Sequence, residues 1–122
     1  MGPATPAQFS AIEAIGARSD SDIEHHFESF KNRRNFLTAQ LNRMGLYTPL
    51  PEGAFYVFVD ASKYTNDSLK FAFDVLEKAH VGITPGVDFG TGGEGFVRFS
   101  YANSLENIKE GMDRLEKYLK TL

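Results

Sequence analysis

Ile23, Phe27, Phe30, Arg34, Leu37, Leu41 and Met44 recur in alternating steps of four and three residues. That spacing gathers them on one face of an α-helix; a strand, which alternates faces at every residue, would scatter them. Ser21 and Glu24 open the run as a capping box, S-x-x-E, and Gly45 stands where a C-terminal cap is expected. A helix of this span is about 35 Å long. That is long for a chain of 122 residues, and a helix that outruns its own domain often bridges to another. Arg34 is the single polar break in the stripe, so it is expected to pair with an acid or to face a neighbouring domain.

The other segments read more briefly. Residues 1–6 are expected to fray, and "PAQFSAIEAIGAR" carries Phe9, Ile12 and Ile15 at helical spacing before Gly16 weakens it. "PEGAFYVFVD" is a strand with Phe55, Val57 and Val59 on one face and Ala54, Tyr56 and Phe58 on the other. Apolar residues on both faces suggest a central strand. Asn66 and Asp67 start a helix with Leu69, Ala72, Phe73 and Leu76 on its apolar side. "VGITPG" is a short strand, and "GFVRFSYA" is another, with Val97, Phe99 and Tyr101 facing a core and Phe96, Arg98 and Ser100 facing away. Ser104 caps a last helix whose stripe is Leu105, Ile108, Met112, Leu115, Leu119 and Leu122. The order α-α-β-α-β-β-α defines an α+β fold, a small mixed or antiparallel sheet of three to four strands packed against helices.

The chemistry open to such a chain is bounded by its composition. A net charge of −3 with no basic stripe argues against nucleic acid as a partner. The absence of cysteine excludes disulfides and thiolate metal sites. The longest apolar run, Ala54 to Val59, is far short of a membrane span, and the N-terminus lacks the pattern of a signal peptide, so a cytoplasmic protein without a membrane partner is expected. His25 and His26 point about 100° apart on a helix and do not chelate together, so no metal site is expected. His80 closes a helix, where a cation suits the dipole. Asp88 and Glu94 read as solvated acids.

"GTGGEG", residues 90–95, matches G-x-G-x-x-G. A dinucleotide fingerprint needs a helix after its glycines, to hold the pyrophosphate at its N-terminus. Here a strand follows, so the loop reads instead as a connection that leads into Arg98. An arginine in mid-strand between Val97 and Phe99 must snorkel, pair with an acid, or meet an anionic ligand. A carboxylate suits it, because the guanidinium fork offers two parallel hydrogen bonds.

"SFKNRRNFLTAQLNRMG", "PEGAFYVFVD" and "VGITPGVDFGTGGEGFVRFSYANSLENIKEGMDRLEKYL" stand in one collinear order. Together they resemble the C-terminal part of class I/II pyridoxal phosphate-dependent aminotransferases of the aspartate aminotransferase fold type. The resemblance implies amino-group transfer between an amino acid and a 2-oxo acid. It implies that Arg98 binds the substrate α-carboxylate and that Phe89 is similar to an aromatic near the active-site mouth; an anchor for its own loop is the other reading of Phe89. It implies further that residues 19–122 form the small domain, preceded by a segment with a short helix over 1–18.

The family's Schiff-base lysine, in a Ser-Lys or Ser-x-x-Lys context, has no counterpart among Lys31, Lys63, Lys70, Lys78, Lys109, Lys117 and Lys120. The acid for the pyridine nitrogen and the phosphate cup also belong, by the resemblance, to a large domain upstream. The chain alone is therefore expected to be inactive and to hold no catalytic residue and no bound pyridoxal phosphate; were it a purely structural fragment, it would show an uncovered apolar face around Phe9, Phe89 and Phe96 and self-associate. A carboxylate-binding module, a structural fragment, and a lyase of the same fold are the competing expectations.

Overall fold

The computed structural model describes residues 2–16 and 21–122, so the boundary expected between residues 18 and 19 lies outside the described residues. Helix α1 (Thr5–Gly16) buries none of its side chains, and Phe9, Ile12 and Ile15 are all exposed. Helix α2 (Ser21–Arg43) begins with Ser21 already helical, not as the cap expected there, and the residue before it is not described. Only the C-terminal half of its stripe is covered. Leu37, Leu41 and Met44 are buried and Phe30 is half-buried, whereas Ile23 and Phe27 face solvent.

The end of α2 follows the sequence closely. Gly45 adopts φ +82°, and the Leu46 and Gly45 N–H groups donate to the Leu41 and Asn42 carbonyls, each at 3.0 Å. This is the Schellman arrangement, which satisfies carbonyls the helix would otherwise leave open. Of the two expectations for Arg34, the acid partner is not the one seen among the described residues. The Arg34 Nη1 donates to the Pro51 carbonyl at 3.0 Å, and its Nε and Nη2 donate to the Asn35 side chain, so no acid is needed to satisfy it.

Three strands form one antiparallel sheet in the order β1 (Tyr56–Asp60), β3 (Phe96–Ser100), β2 (Thr84–Pro85). The central strand is β3, whereas β1 lies at the edge. One face of β1, Val57 and Val59, is buried in the core, whereas Phe58 on the other face stays exposed beside other aromatic rings. Apolar residues on both faces do not record how many strands flank it. A single bridge, with the Asp60 N–H donating to the Tyr47 carbonyl at 2.8 Å, closes part of that edge.

Helix α3 (Ser68–Ala79) is capped by Asp67, which accepts the Lys70 N–H at 2.9 Å. Its buried face is Phe71, Ala72, Val75 and Ala79. The expected face, Leu69, Phe73 and Leu76, is turned outward except for Ala72. Both sets fit a helical period, and the larger tertiary contact decided between them. Helix α4 (Leu105–Leu119) is capped by Ser104, which accepts the Asn107 N–H at 3.1 Å. Ile108, Met112, Leu115 and Leu119 are buried as expected, with Tyr118 added. Leu122 lies beyond the last turn and is exposed.

The helices supply Leu37, Leu41, Phe71, Val75, Ile108 and Leu115 to a core with Val57, Val59, Val97 and Phe99 of the sheet. Burying such side chains stabilises a fold by about 1.5–3 kcal/mol each. The opposite sheet face carries Arg98. Among the described residues no helix is long and apolar enough to cross a membrane.

Candidate functional site

Because β3 alternates, burying Val97 and Phe99 obliges Arg98 to project from the other face. The antiparallel register sets Phe58 of β1 and Thr84 of β2 directly opposite Arg98. The Arg98 Nη2 donates to the Thr84 hydroxyl at 3.3 Å. The guanidinium carbon lies 4.2 Å from the centre of the Tyr56 ring and 4.8 Å from that of Phe89. Phe89 in turn meets Phe58 edge-on at 5.7 Å, and Phe58 stacks on Phe96 at 5.2 Å. The surface around the cation is thus aromatic on several sides.

Among the described residues no carboxylate lies within ion-pair distance of Arg98. The acid on the same sheet face, Asp60, is engaged elsewhere and accepts the Ser62 N–H at 2.8 Å. Hydrogen bonds from Ser62, side chain first and backbone second, hold its carboxyl below the usual range. Of the three fates open to a mid-strand arginine, the structural ion pair is not the one seen here.

The glycine-rich connection is folded. Two short 3-10 turns, Gly86–Phe89 and Thr91–Gly93, carry the chain from β2 to β3. The first of them places Phe89 over Arg98. Gly90 and Gly95 have φ of +109° and +81°, a region that favours glycine. A strand follows the glycines, which excludes the dinucleotide arrangement. Glu94 is exposed, as expected of a solvated acid, but it has backbone partners. Its Oε1 accepts the Ser68 N–H at 2.6 Å and the Gly95 N–H at 3.0 Å, and these backbone bonds lower its pKa. Asp88 stays exposed.

The His25 and His26 rings are 6.3 Å apart, and the described residues contain no group of acids and histidines that could hold a metal. His80 ends α3 in the left-handed region, φ 55°. A groove of about 490 Å³ lies beside His80, Asn107 and Arg114, and Arg98 is not part of its lining.

Sequence reasoning singled out Arg98 and Phe89, and it did not name as site residues Tyr56, Thr84 and Phe58, which the structure sets beside them. Those three come from two other strands, and only the pairing register brings them to the arginine.

The family described as aminotransferase class I and II matches residues 2–115. An aromatic-amino-acid aminotransferase of Thermococcus litoralis is 40% identical over 97% of this chain and 31% of its own length. An aspartate aminotransferase of Pyrococcus abyssi is 40% identical with the same coverage of each. A solved alanine aminotransferase from Pyrococcus furiosus superposes with a TM-score of 0.86 at 36% identity, covering 98% of this chain and 31% of that one. The chain belongs to the class I and II aminotransferases, and it spans 31% of the length of these relatives.

Membership implies dependence on pyridoxal phosphate. Among the described residues, six of the seven lysines have their amines at acids or over aromatic rings. Lys70 and Lys78 grip Asp74, Lys120 grips Glu116 and Lys31 grips Glu28. Lys63 and Lys109 lie over the Tyr64 and Phe36 rings. The side-chain partners of Arg98 are a hydroxyl and two rings, which supply neither an amine nor a phosphate cradle.

Proposed function

We propose that residues 19–122 act as the small domain of a pyridoxal phosphate-dependent aminotransferase, in which Arg98 receives the substrate α-carboxylate. Phe89 belongs to the same site, at the rim of the guanidinium. The observation that carries this reading is a half-buried arginine with aromatic neighbours and no acid partner among the described residues. A cation so placed is fixed in direction and still lacks a counter-charge. By holding the carboxylate it orients the Cα–H bond, and amino acid and 2-oxo acid bind through the same group.

The energetics limit what this chain does by itself. One charge-assisted hydrogen bond contributes about 1.5–3 kcal/mol. Millimolar binding already requires about 4 kcal/mol. The side-chain pocket and the reacting cofactor therefore belong to a large domain, and the chain without it binds amino acids weakly and transfers nothing. The uncovered Phe9, Ile12, Ile15 and Phe27 offer surface for self-association in its place.

The test is Arg98→Lys in the complete enzyme. Replacing a fork by a point charge should raise KM for the amino acid by roughly tenfold or more and lower kcat as well. Unchanged kinetics would remove the assignment.

A further inference from the structure

Arg98 is held by side chains from three different segments. Thr84 of β2 accepts from Nη2, Tyr56 of β1 lies 4.2 Å from the guanidinium carbon, and Phe89 of the first 3-10 turn lies at 4.8 Å. Tyr56 is itself fixed. Its ring packs on Phe55 at 4.2 Å, and its backbone pairs with Ser100, next to the Phe58–Arg98 pair. Among the described residues the Tyr56 hydroxyl makes no hydrogen bond, so its contact with the arginine is through the ring. Rings stacked on a guanidinium cover its faces and leave the N–H groups of its edge to donate; Nη2 already meets Thr84, and the remaining N–H groups are left for a ligand.

We propose that Tyr56, helped by Thr84, is a positioning residue that fixes the plane of the Arg98 guanidinium and makes the site select planar carboxylates over tetrahedral oxyanions. This deepens the proposed function and rests on it. A carboxylate has two oxygens in one plane and meets the open edge with both. A sulfonate or phosphonate has three oxygens around a tetrahedral centre. When two of them meet the edge, the third is directed out of the plane, toward a ring. Tyr56 thus confers discrimination without touching the substrate.

The experiment follows the Arg98 Nε–Hε resonance in the 15N-labelled chain, assigned by its loss in Arg98→Lys. Pyruvate and methanesulfonate, two small monoanions, are titrated separately. The wild-type chain should bind pyruvate more tightly. Tyr56→Leu should weaken pyruvate binding roughly three- to tenfold, the range a lost cation–π contact allows, and bring the two affinities together. Tyr56→Phe should keep both the affinity and the preference. If Tyr56→Leu does not give a folded backbone spectrum, Thr84→Val replaces it, with the same loss of preference expected.

A Tyr56→Leu or Thr84→Val chain that keeps the wild-type preference overturns the inference and leaves the carboxylate role of Arg98 standing. So does a Tyr56→Phe chain that loses it. An Arg98 resonance that pyruvate does not move in the wild-type chain even well above millimolar concentration overturns the underlying role as well.

Discussion

Gly86 and Gly93 press their backbones together so closely that a Cβ on either would collide with the carbonyl oxygen of the other. The contact fastens the two 3-10 turns to one another, and the first of those turns carries Phe89 to Arg98.

Alanine at Gly86 or Gly93 should therefore destabilise the chain by about 3 kcal/mol or more, since the obstruction is backbone and cannot rotate away. Gly92→Ala should be nearly silent, because nothing lies within 4 Å of its Cβ position. Urea midpoints of the three variants check this. A similar loss at all three would mean that the loop needs its glycines for flexibility alone.

A second pair of variants tests which side of α3 is buried. Phe71 is 4% exposed and Phe73 is 59% exposed, two residues apart on one helix. Phe71→Ala should cost about 3–5 kcal/mol. Phe73→Ala should cost well under about 1 kcal/mol. Equal losses by thermal or urea unfolding would mean that the outward face of α3 is covered in solution.

These two helix faces show where sequence pattern stops being sufficient. Leu69, Phe73 and Leu76 repeat as regularly as Phe71, Val75 and Ala79, and periodicity has no term for which set the sheet will meet. The alternation of Val97, Arg98 and Phe99 was legible because a charge between two core residues leaves one solution. The companions of Arg98 were not legible, because Tyr56 and Thr84 lie far from it in sequence and reach it through register. The partners of Glu94 were not legible either, because they are backbone N–H groups, which carry no sequence signature. The edge position of β1 was hidden as well, since apolar residues on both its faces do not count its neighbours.

Glu94 gives a prediction in pH. Its folded pKa is lowered by the Ser68 and Gly95 N–H groups, from an ordinary value of 4.5. A depressed carboxyl contributes stability that is full above the unfolded value and is lost as pH falls through the folded one. Glu94→Gln cannot lose what depends on ionisation. Urea midpoints taken between about pH 6 and pH 3 should fall less steeply for Glu94→Gln than for wild type. Asp60, Asp74 and Glu116 are also lowered, so the difference between the two curves, not either slope, is the measure. Parallel curves would show that the bond does not persist in solution.

A spectroscopic prediction concerns the lysines. Mixed with pyridoxal phosphate, the chain should give no lasting absorbance band that shifts when an amino acid and a 2-oxo acid are added. The amines of Lys31, Lys70, Lys78 and Lys120 are engaged by acids, and none is held beside Arg98. A stable band that responds to amino acid would make this chain a minimal enzyme.

The strand that bears Arg98 is both the middle of the sheet and the last of its strands in the chain. Synthesis runs from the N-terminus, so β1 and β2 leave the ribosome before the strand that pairs with both of them. When Phe96–Ser100 follows, it acts as a keystone, and one insertion joins both neighbours. The emerging chain thus passes through no stage with this sheet assembled and its arginine missing.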